Sequence, residues 1–199
     1  LPRDAQIISD ATGWQREQTG GSVYLRLTTN PLDQPTRTIN PDLASDIIAG
    51  GYWWREPGPN CELIIAYQGV VAEQALAAAG QLAGQFSGQS RDIGVLAVTS
   101  ADRLNAGWTA AQQARTDGHK NAASHIEKLL ENVPRHALML TVIDGHPATL
   151  SWLGGVKGMA TISHGVEHFG QTGTIGDLYR HFRLDTASLV EAVLNNSAR

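Results

Sequence analysis

The sequence has little cysteine and little charge. A single cysteine, Cys61, excludes an internal disulfide framework and a cysteine-based metal cluster, as is typical of a reducing cytoplasm. Charged residues make up 17% of the 199 residues, against about 25% in an average soluble chain. The chain has 15 Lys and Arg and 19 Asp and Glu, so it has no excess of positive charge that could bind phosphate backbones. We therefore expect a cytoplasmic protein that does not bind nucleic acid.

Long apolar runs are also missing. The longest stretch without a charged residue, 74–90, is interrupted by glutamine, glycine and serine and cannot span a bilayer. The first residues, Leu1-Pro2-Arg3-Asp4, include neither an initiator methionine nor the apolar core of a signal peptide. We therefore expect no membrane partner, and we expect the chain to be part of a longer protein.

Proline marks the organisation of the chain. Residues 30–60 are interrupted repeatedly by proline, which predicts a linker and a domain boundary. We place the end of one domain and its linker at 1–40, and a second domain at 41–199. The first part contains a predicted helix at 4–17 and an alternating strand at 23–29.

Short apolar runs alternate with helical patterns in the second part. Runs at 62–67, 93–99 and 137–143 are apolar on both faces, and a weaker run follows at 160–163. The three strong runs are joined by helical segments, which predicts neighbouring parallel strands covered by helices on both sides. A short strand is predicted at 52–55, and the strand at 23–29 is expected to pair elsewhere. The predicted fold class is α/β, a three-layer open sandwich with a mostly parallel sheet.

Two helices of this pattern have a distinct apolar stripe, and two residues are predicted helix caps. Ser100 and Asp185 each precede a helical pattern and carry an oxygen that accepts a backbone N–H bond. One stripe consists of Ile126, Leu129, Leu130 and Val133, and the other of Ile175, Leu178 and Phe182.

The most interesting polar group is Asp144-Gly145-His146-Pro147. It directly follows a predicted strand, at the carboxyl edge of the sheet, where open α/β folds place their ligand crevices. Asp144 and His146 are therefore candidate binding residues. The alternative is structural, because either side chain could cap the helix that starts near Pro147.

Motifs that carry a complete chemistry are missing from the sequence. Gly165 and Gly170 are not followed by the Lys-Ser/Thr pair of a P-loop, and no Gly-x-Ser-x-Gly elbow occurs. His164 and His168 are four residues apart, but they lie in a strand-to-loop segment, where that spacing does not favour a shared metal ion. We predict neither a catalytic residue nor a metal site in this chain.

The last third resembles the C-terminal end of thiamine-diphosphate enzymes. In the homodimeric, decarboxylating first component of pyruvate dehydrogenase complexes, a Phe-Gly loop leads to an Arg-His-Phe helix end, an Asp and a final apolar helix. Phe169-Gly170, Arg180-His181-Phe182 and Asp185 follow this order. Residues 144–155 and 165–173 are similar as well, and residues 23–29 look like the last strand of the pyrimidine-binding domain. The resemblance extends over nearly the whole chain.

The resemblance implies a transketolase C-terminal-like domain of a 2-oxo acid dehydrogenase. The parent enzyme would use thiamine diphosphate and Mg²⁺, form a homodimer, and pass its acyl group to a lipoyl-bearing acyltransferase. The family holds its cofactor on a Gly-Asp-Gly signature followed by Asn-Asn, whereas Asn195-Asn196 here has no such signature before it. We therefore expect no cofactor in this chain alone. Asp144 and His146 would line the edge of the active-site channel.

Two alternatives remain open. Transketolases have a phosphate-binding Arg in a segment where this chain has Thr28-Thr29-Asn30, and that difference favours pyruvate over a sugar phosphate. A transketolase-like sugar transferase is nevertheless one alternative. A non-catalytic dimerisation or regulatory module is the other.

The loop at 169–173 is expected to be structural and to order a face that meets the second subunit. Its glycines allow a tight turn, and Thr172 or Thr174 is predicted to cap the next helix. His181 lies one residue off the apolar stripe of that helix. Its ring is therefore predicted to lie at the edge of the core with one nitrogen bonded.

Overall fold

The structure is a computed structural model, and it describes residues 37–84, 92–168 and 170–196. The predicted helix at 4–17 and the predicted strand at 23–29 lie outside these ranges, as does Phe169. The predicted domain boundary near residue 40 and the pairing of the 23–29 strand therefore stay predictions.

Five strands of the described chain form one sheet, in the order β1-β3-β2-β4-β5. Strands β2 to β5 run parallel and β1 pairs with β3 in the antiparallel direction. The fold class predicted from the sequence is confirmed, including the three neighbouring parallel strands β3, β2 and β4. The strands are β1 (Gly51–Arg55), β2 (Leu63–Gln68), β3 (Ile93–Val98), β4 (Leu138–Ile143) and β5 (Thr161–His164).

Helices cover both faces of this sheet. A short 3₁₀ turn at Gly69–Val71 leads into the second helix, and another at Trp152–Val156 follows the fifth. Within the described ranges, every helix is too short or too polar to span a bilayer. The helices are α1 (Pro41–Ala49), α2 (Ala72–Gly84), α3 (Ala101–Thr116), α4 (His125–Leu129), α5 (Ala148–Ser151), α6 (Ile175–His181) and α7 (Thr186–Asn196).

The sheet separates two hydrophobic cores, and the side chains of β2 point alternately into one and the other. Leu63, Ile65 and Tyr67 point into a first core shared with α2 and α7. Ile64 and Ala66 point into a second core shared with α3, α4 and α5. The alternation follows from the period of a strand, and because both faces are buried, β2 is apolar throughout.

Caps explain where several helices begin. The Ser100 hydroxyl accepts the backbone N–H of Arg103 at the start of α3, as predicted. The Asp185 carboxylate accepts the backbone N–H and the hydroxyl of Ser188 before α7, also as predicted. Ser124 forms a capping box with Glu127 at the start of α4, so two backbone donors are satisfied reciprocally.

Two predicted helical stripes need correction. The helix expected to extend to Val133 ends at Leu129, although Ile126, Leu130 and Val133 are buried as predicted. The helix does not continue, and the ammonium of Lys157 donates instead to the carbonyl oxygens of Leu130, Glu131 and Val133. In α6, Ile175 is 46% exposed rather than inward, and no residue of that helix is fully buried. That helix lies on the rim of the first core.

Candidate functional site

The connections between strands create a topological switch at the carboxyl edge of the sheet. After β2 the chain continues to β3 on one side, through α2, whose inward residues belong to the first core. After β4 it continues to β5 on the other side, through α5, whose Leu150 belongs to the second core. Because β2 and β4 are neighbours, their connections diverge at this point, and open α/β folds place their ligand crevices between such strand ends. The candidate site is this crevice.

Gly69 and Asp144 face each other across the crevice. Gly69 has a φ of +79°, and a Cβ there would lie 3.0 Å from Oδ1 of Asp144. The position therefore needs glycine for both its backbone conformation and its space. Asp144, predicted as a site residue, lies beside the 3₁₀ turn that leads into α2. Free backbone N–H groups at the start of a helix favour a negative charge there.

Tyr179 of α6 packs against the first core and is close enough to Asp144 for the charge of Asp144 to act on it. Burial raises the pKa of the Tyr179 hydroxyl, and the negative charges of Asp144 and Glu73 raise it further. The phenol is therefore a neutral hydrogen-bond donor throughout the physiological pH range. Three elements that are distant in the sequence therefore influence one another here, which the chain order alone did not reveal.

His146 is the second predicted site residue, and its ring is bonded to the start of α5. The backbone N–H of Ala148 donates to Nδ1 of His146 at 3.2 Å. This is the capping interaction that the sequence predicted as the structural alternative. The side chain is nevertheless exposed, so the other ring nitrogen faces solvent.

The loop that carries Asp144 and His146 is held by the segment after β5. The Gly145 carbonyl oxygen accepts the backbone N–H of Val166 at 2.8 Å. A Cβ on Gly165 would overlap that carbonyl oxygen and lie 2.8 Å from the nitrogen of Pro147. The two segments therefore touch backbone to backbone, and the loop has little freedom to move.

His164 ends β5 at the same edge of the sheet. Burial lowers its pKa and the positive charge of Arg183 lowers it further, against a backbone hydrogen bond to Arg183. His164 is thus neutral at physiological pH, and His168, four residues on, is exposed. No group of three or more His, Cys, Asp or Glu in the described ranges could hold a metal ion.

The motif that carried the family resemblance is folded as a capped helix and a tight turn. The Thr174 hydroxyl accepts the backbone N–H of Asp177, which confirms one of the two predicted caps. After α6, Arg183 adopts a left-handed φ of +56°, and Leu184 N–H bonds back to the Tyr179 carbonyl oxygen at 2.8 Å. This is a Schellman ending in which arginine replaces the usual glycine.

His181 does not lie where the sequence placed it. The ring is exposed rather than at the edge of the core, and it contacts Phe182 edge-on at 4.8 Å between ring centroids. The chain turns at Phe182, so that Phe182 and not its neighbour packs against the first core.

The sequence reasoning missed three residues of the crevice: Gln68, Gly69 and Tyr179. The side-chain oxygen of Gln68 is buried and has no hydrogen-bond partner among the described residues. A Gln-Gly pair directly after an apolar strand was the available signal for the first two, because a switch point requires a turn there. Tyr179 had no such signal, since it comes near Asp144 only through the packing of α6 against the first core.

Comparisons with known proteins relate the chain through its structure alone. No protein-family model matches the sequence, and no curated protein matches it either. The transketolase of Campylobacter jejuni has a TM-score of 0.53 at 18% identity, over 76% of this chain and 19% of its own. The transketolase of Leishmania mexicana has a TM-score of 0.52 at 17% identity, over 75% of this chain and 18% of its own.

A third solved structure is described as a split-gene transketolase in the form of an inactive tetramer of four beta chains. It has a TM-score of 0.51 at 19% identity, over 74% of this chain and 42% of that one. The described residues therefore have the α/β fold of a transketolase C-terminal domain, as the sequence resemblance implied. The chain spans about a fifth of the full-length transketolases it matches.

Proposed function

We propose that this chain is the C-terminal domain of a thiamine-diphosphate-dependent 2-oxo acid dehydrogenase of the pyruvate type. The fold, which resembles about a fifth of each full-length transketolase, supports the part of the proposal that makes this chain a C-terminal domain. The sequence adds the loop and helix motif that ends in Arg180-His181-Phe182 and Asp185. In this proposal the domain completes a homodimer, and the whole enzyme delivers its acyl group to a lipoyl-bearing acyltransferase.

The choice of substrate rests on the sequence before the domain. A sugar phosphate calls for a bidentate arginine partner, and Thr28-Thr29-Asn30 supplies none where transketolases have one. A small 2-oxo acid needs no such partner. A transketolase-like sugar transferase is the second candidate function, and the observation that favours it is that the similar solved structures are transketolases.

Thiamine diphosphate and Mg²⁺ would be bound mainly outside the described residues. A Mg²⁺ ion bound to a diphosphate takes oxygen ligands in near-octahedral geometry. The described ranges contain no group of acidic or metal-binding side chains that offers such a set. The cofactor supplies the electron sink for decarboxylation, whereas this domain would shape the channel that leads to it. Asp144 and His146 are the residues we assign to the channel edge.

A non-catalytic dimerisation or regulatory module is the third reading of the same fold. The observation that favours it is that one similar structure, of which this chain covers 42%, is described as an inactive tetramer of a split-gene transketolase. Dimerisation and catalysis are compatible in our proposal, because the domain would contribute assembly while the rest of the enzyme contributes the cofactor.

One assay distinguishes these candidates. The complete protein that contains this chain is supplied with thiamine diphosphate and Mg²⁺. It then receives either pyruvate with lipoamide as the acyl acceptor, or xylulose 5-phosphate with an aldose phosphate as the ketol acceptor. We expect carbon dioxide release from pyruvate and no ketol transfer from xylulose 5-phosphate. Ketol transfer without decarboxylation would establish the sugar transferase instead. If the protein is a stable dimer but is inactive with both substrates, the result would favour the non-catalytic module.

A calorimetric titration tests the cofactor part separately. We expect the isolated chain to give no Mg²⁺-dependent heat with thiamine diphosphate, whereas the complete protein binds it. Micromolar, Mg²⁺-dependent binding by the isolated chain would contradict our assignment of the cofactor site to other parts of the enzyme.

A further inference from the structure

The ring of His146 is held in one orientation and one tautomer. Because a backbone N–H donates to Nδ1 at 3.2 Å, Nδ1 must keep its lone pair. The neutral ring therefore carries its proton on Nε2. That nitrogen belongs to an exposed side chain, so the ring presents an N–H donor away from α5.

The backbone beneath the ring is fixed as well. Pro147 has a φ of −60° and no N–H of its own, so Ala148 supplies the first free donor of the helix. Val166 N–H holds the Gly145 carbonyl oxygen at 2.8 Å, and Gly165 packs directly against this loop. An oriented side chain on a rigid loop loses little conformational entropy when it binds a ligand.

The direction of the donor determines the ligand chemistry. An Nε2–H group bonds to an oxygen acceptor, and an exposed position at the carboxyl edge of the sheet is accessible to small molecules. We propose that His146 is a binding residue that donates Nε2–H to an oxygen of a small ligand in the channel. This inference rests on the proposed function, in which two ligands carry such oxygens: the 2-oxo acid, in its carboxylate and ketone groups, and lipoamide, in its amide carbonyl.

Two substitutions separate the two nitrogens of the ring. Asparagine at position 146 keeps an acceptor that bonds the N–H two residues on, as in an Asx turn, but it lacks the distal donor. Glutamine reaches further, so it restores an N–H near the Nε2 position and gives up the Asx geometry. His119→Asn is the matched control, since it changes an exposed histidine after α3, at the opposite edge of the sheet.

The experiment measures steady-state kinetics of the complete enzyme with pyruvate varied at saturating lipoamide, and then with lipoamide varied at saturating pyruvate. For His146→Asn we expect an unchanged melting temperature and kcat. KM should rise about ten-fold for the ligand that accepts the bond, as expected for one hydrogen bond. A rise for pyruvate identifies the 2-oxo acid as the ligand, and a rise for lipoamide identifies lipoamide. His146→Gln should recover most of the affinity.

Three results would overturn the inference. If His146→Asn has the KM values of His119→Asn for both ligands, the ring is only a helix cap. If both His146 variants lose thermal stability while KM is unchanged, the same conclusion holds. If the unmodified protein decarboxylates no 2-oxo acid, the proposed function itself is wrong and the inference is overturned with it.

Discussion

Gly165 lies against Gly145 so closely that a Cβ on Gly165 would overlap the carbonyl oxygen of Gly145. The same Cβ would lie 2.8 Å from the nitrogen of Pro147. The contact joins the loop after β5 to the loop after β4, and the Val166 N–H bond to Gly145 reinforces it at 2.8 Å. The carboxyl edge of the sheet is therefore shaped by two backbones in contact.

Replacing Gly165 by alanine tests this contact. Because the neighbours of the new methyl group are backbone atoms, the two loops must separate, and we expect a loss of about 1–3 kcal/mol in the free energy of unfolding. Gly176→Ala is the matched control, since a Cβ there meets nothing within 4 Å and the residue is helical. The control should be more stable by about 0.5–1 kcal/mol. Equal effects in urea unfolding would contradict the contact.

Arg183 supplies the second prediction. Its left-handed φ of +56° costs an L residue about 1–2 kcal/mol, and its ion pair with Glu191 is exposed and long at 3.3 Å. We expect Arg183→Gly to raise the free energy of unfolding by about 1 kcal/mol, because glycine suits a Schellman ending. Arg183→Ala removes the same ion pair but keeps the strained backbone. If the melting temperature of the glycine variant is equal to or below that of the alanine variant, backbone strain at position 183 does not limit stability.

Lys157, which is distant in the sequence, caps the C-terminal end of α4. Its ammonium donates to the carbonyl oxygens of Leu130, Glu131 and Val133 at 2.9, 2.8 and 2.6 Å. Lys157→Met removes the ammonium from all three oxygens, of which the Leu130 oxygen still accepts the Val133 backbone N–H. We expect a loss of about 1–3 kcal/mol in the free energy of unfolding. The control is Lys128→Met, an exposed lysine of α4 itself, expected within about 0.5 kcal/mol of the original protein. A smaller effect at Lys157 than at Lys128 in chemical denaturation would refute the capping role.

Asp185 makes the stability of the fold depend on pH. Burial raises the pKa of this carboxyl group, but hydrogen bonds from Ser188 and the neighbouring backbone outweigh burial, so the pKa is lowered overall. A lowered folded-state pKa means that the charged form stabilises the fold above the unfolded value of about 3.9. That contribution is lost as the pH falls through the folded-state value.

Asparagine at position 185 separates charge from capping. It still accepts the Ser188 N–H, but it does not titrate. We expect Asp185→Asn to be less stable at neutral pH and to lose less stability than the original protein on acidification from about pH 5 to pH 3. Urea unfolding at several pH values measures both. Parallel stability curves for the two proteins would exclude Asp185 as the titrating group.

Gly170 belongs to the loop that we expect to face the second subunit. Its φ is +109°, and a Cβ there would meet nothing within 4 Å. The cost of Gly170→Val is therefore backbone strain, and we expect about 1–3 kcal/mol lost from folding or dimer assembly in the complete enzyme. Sedimentation, thermal unfolding and kinetics distinguish the outcomes. An intact dimer and melting temperature with collapsed turnover would assign the loop to the active site.

Strands were predicted well from the sequence, because their hydrophobic pattern has a short period. The apolar runs that became β2, β3 and β4 were recognised because a strand buried on both faces has no polar alternation. The stripe of α6 was misread at Ile175, because a helix on the rim of a core needs only part of its apolar face buried.

The candidate site was only half predictable. Asp144 and His146 were found because they follow a strand directly, and their place at the carboxyl edge of a parallel sheet follows from chain direction. The side of the crevice formed by Gly69 and Tyr179 depends on which strand lies next to β4. Neighbour order in a sheet is set by contacts between residues far apart in the chain, and one sequence carries little information on them.

The sequence by itself determined the α/β class, the parallel direction of the central strands and the helix caps at Ser100 and Asp185. These features depend on hydrophobic period and on hydrogen bonds between residues within four positions of each other. Only the tertiary structure decided the order β1-β3-β2-β4-β5, the position of Asp144 against Gly69 and the bonds of Lys157 to the end of α4. Each of these joins segments separated by tens of residues, so its energy is realised only when the two hydrophobic cores bring those segments together.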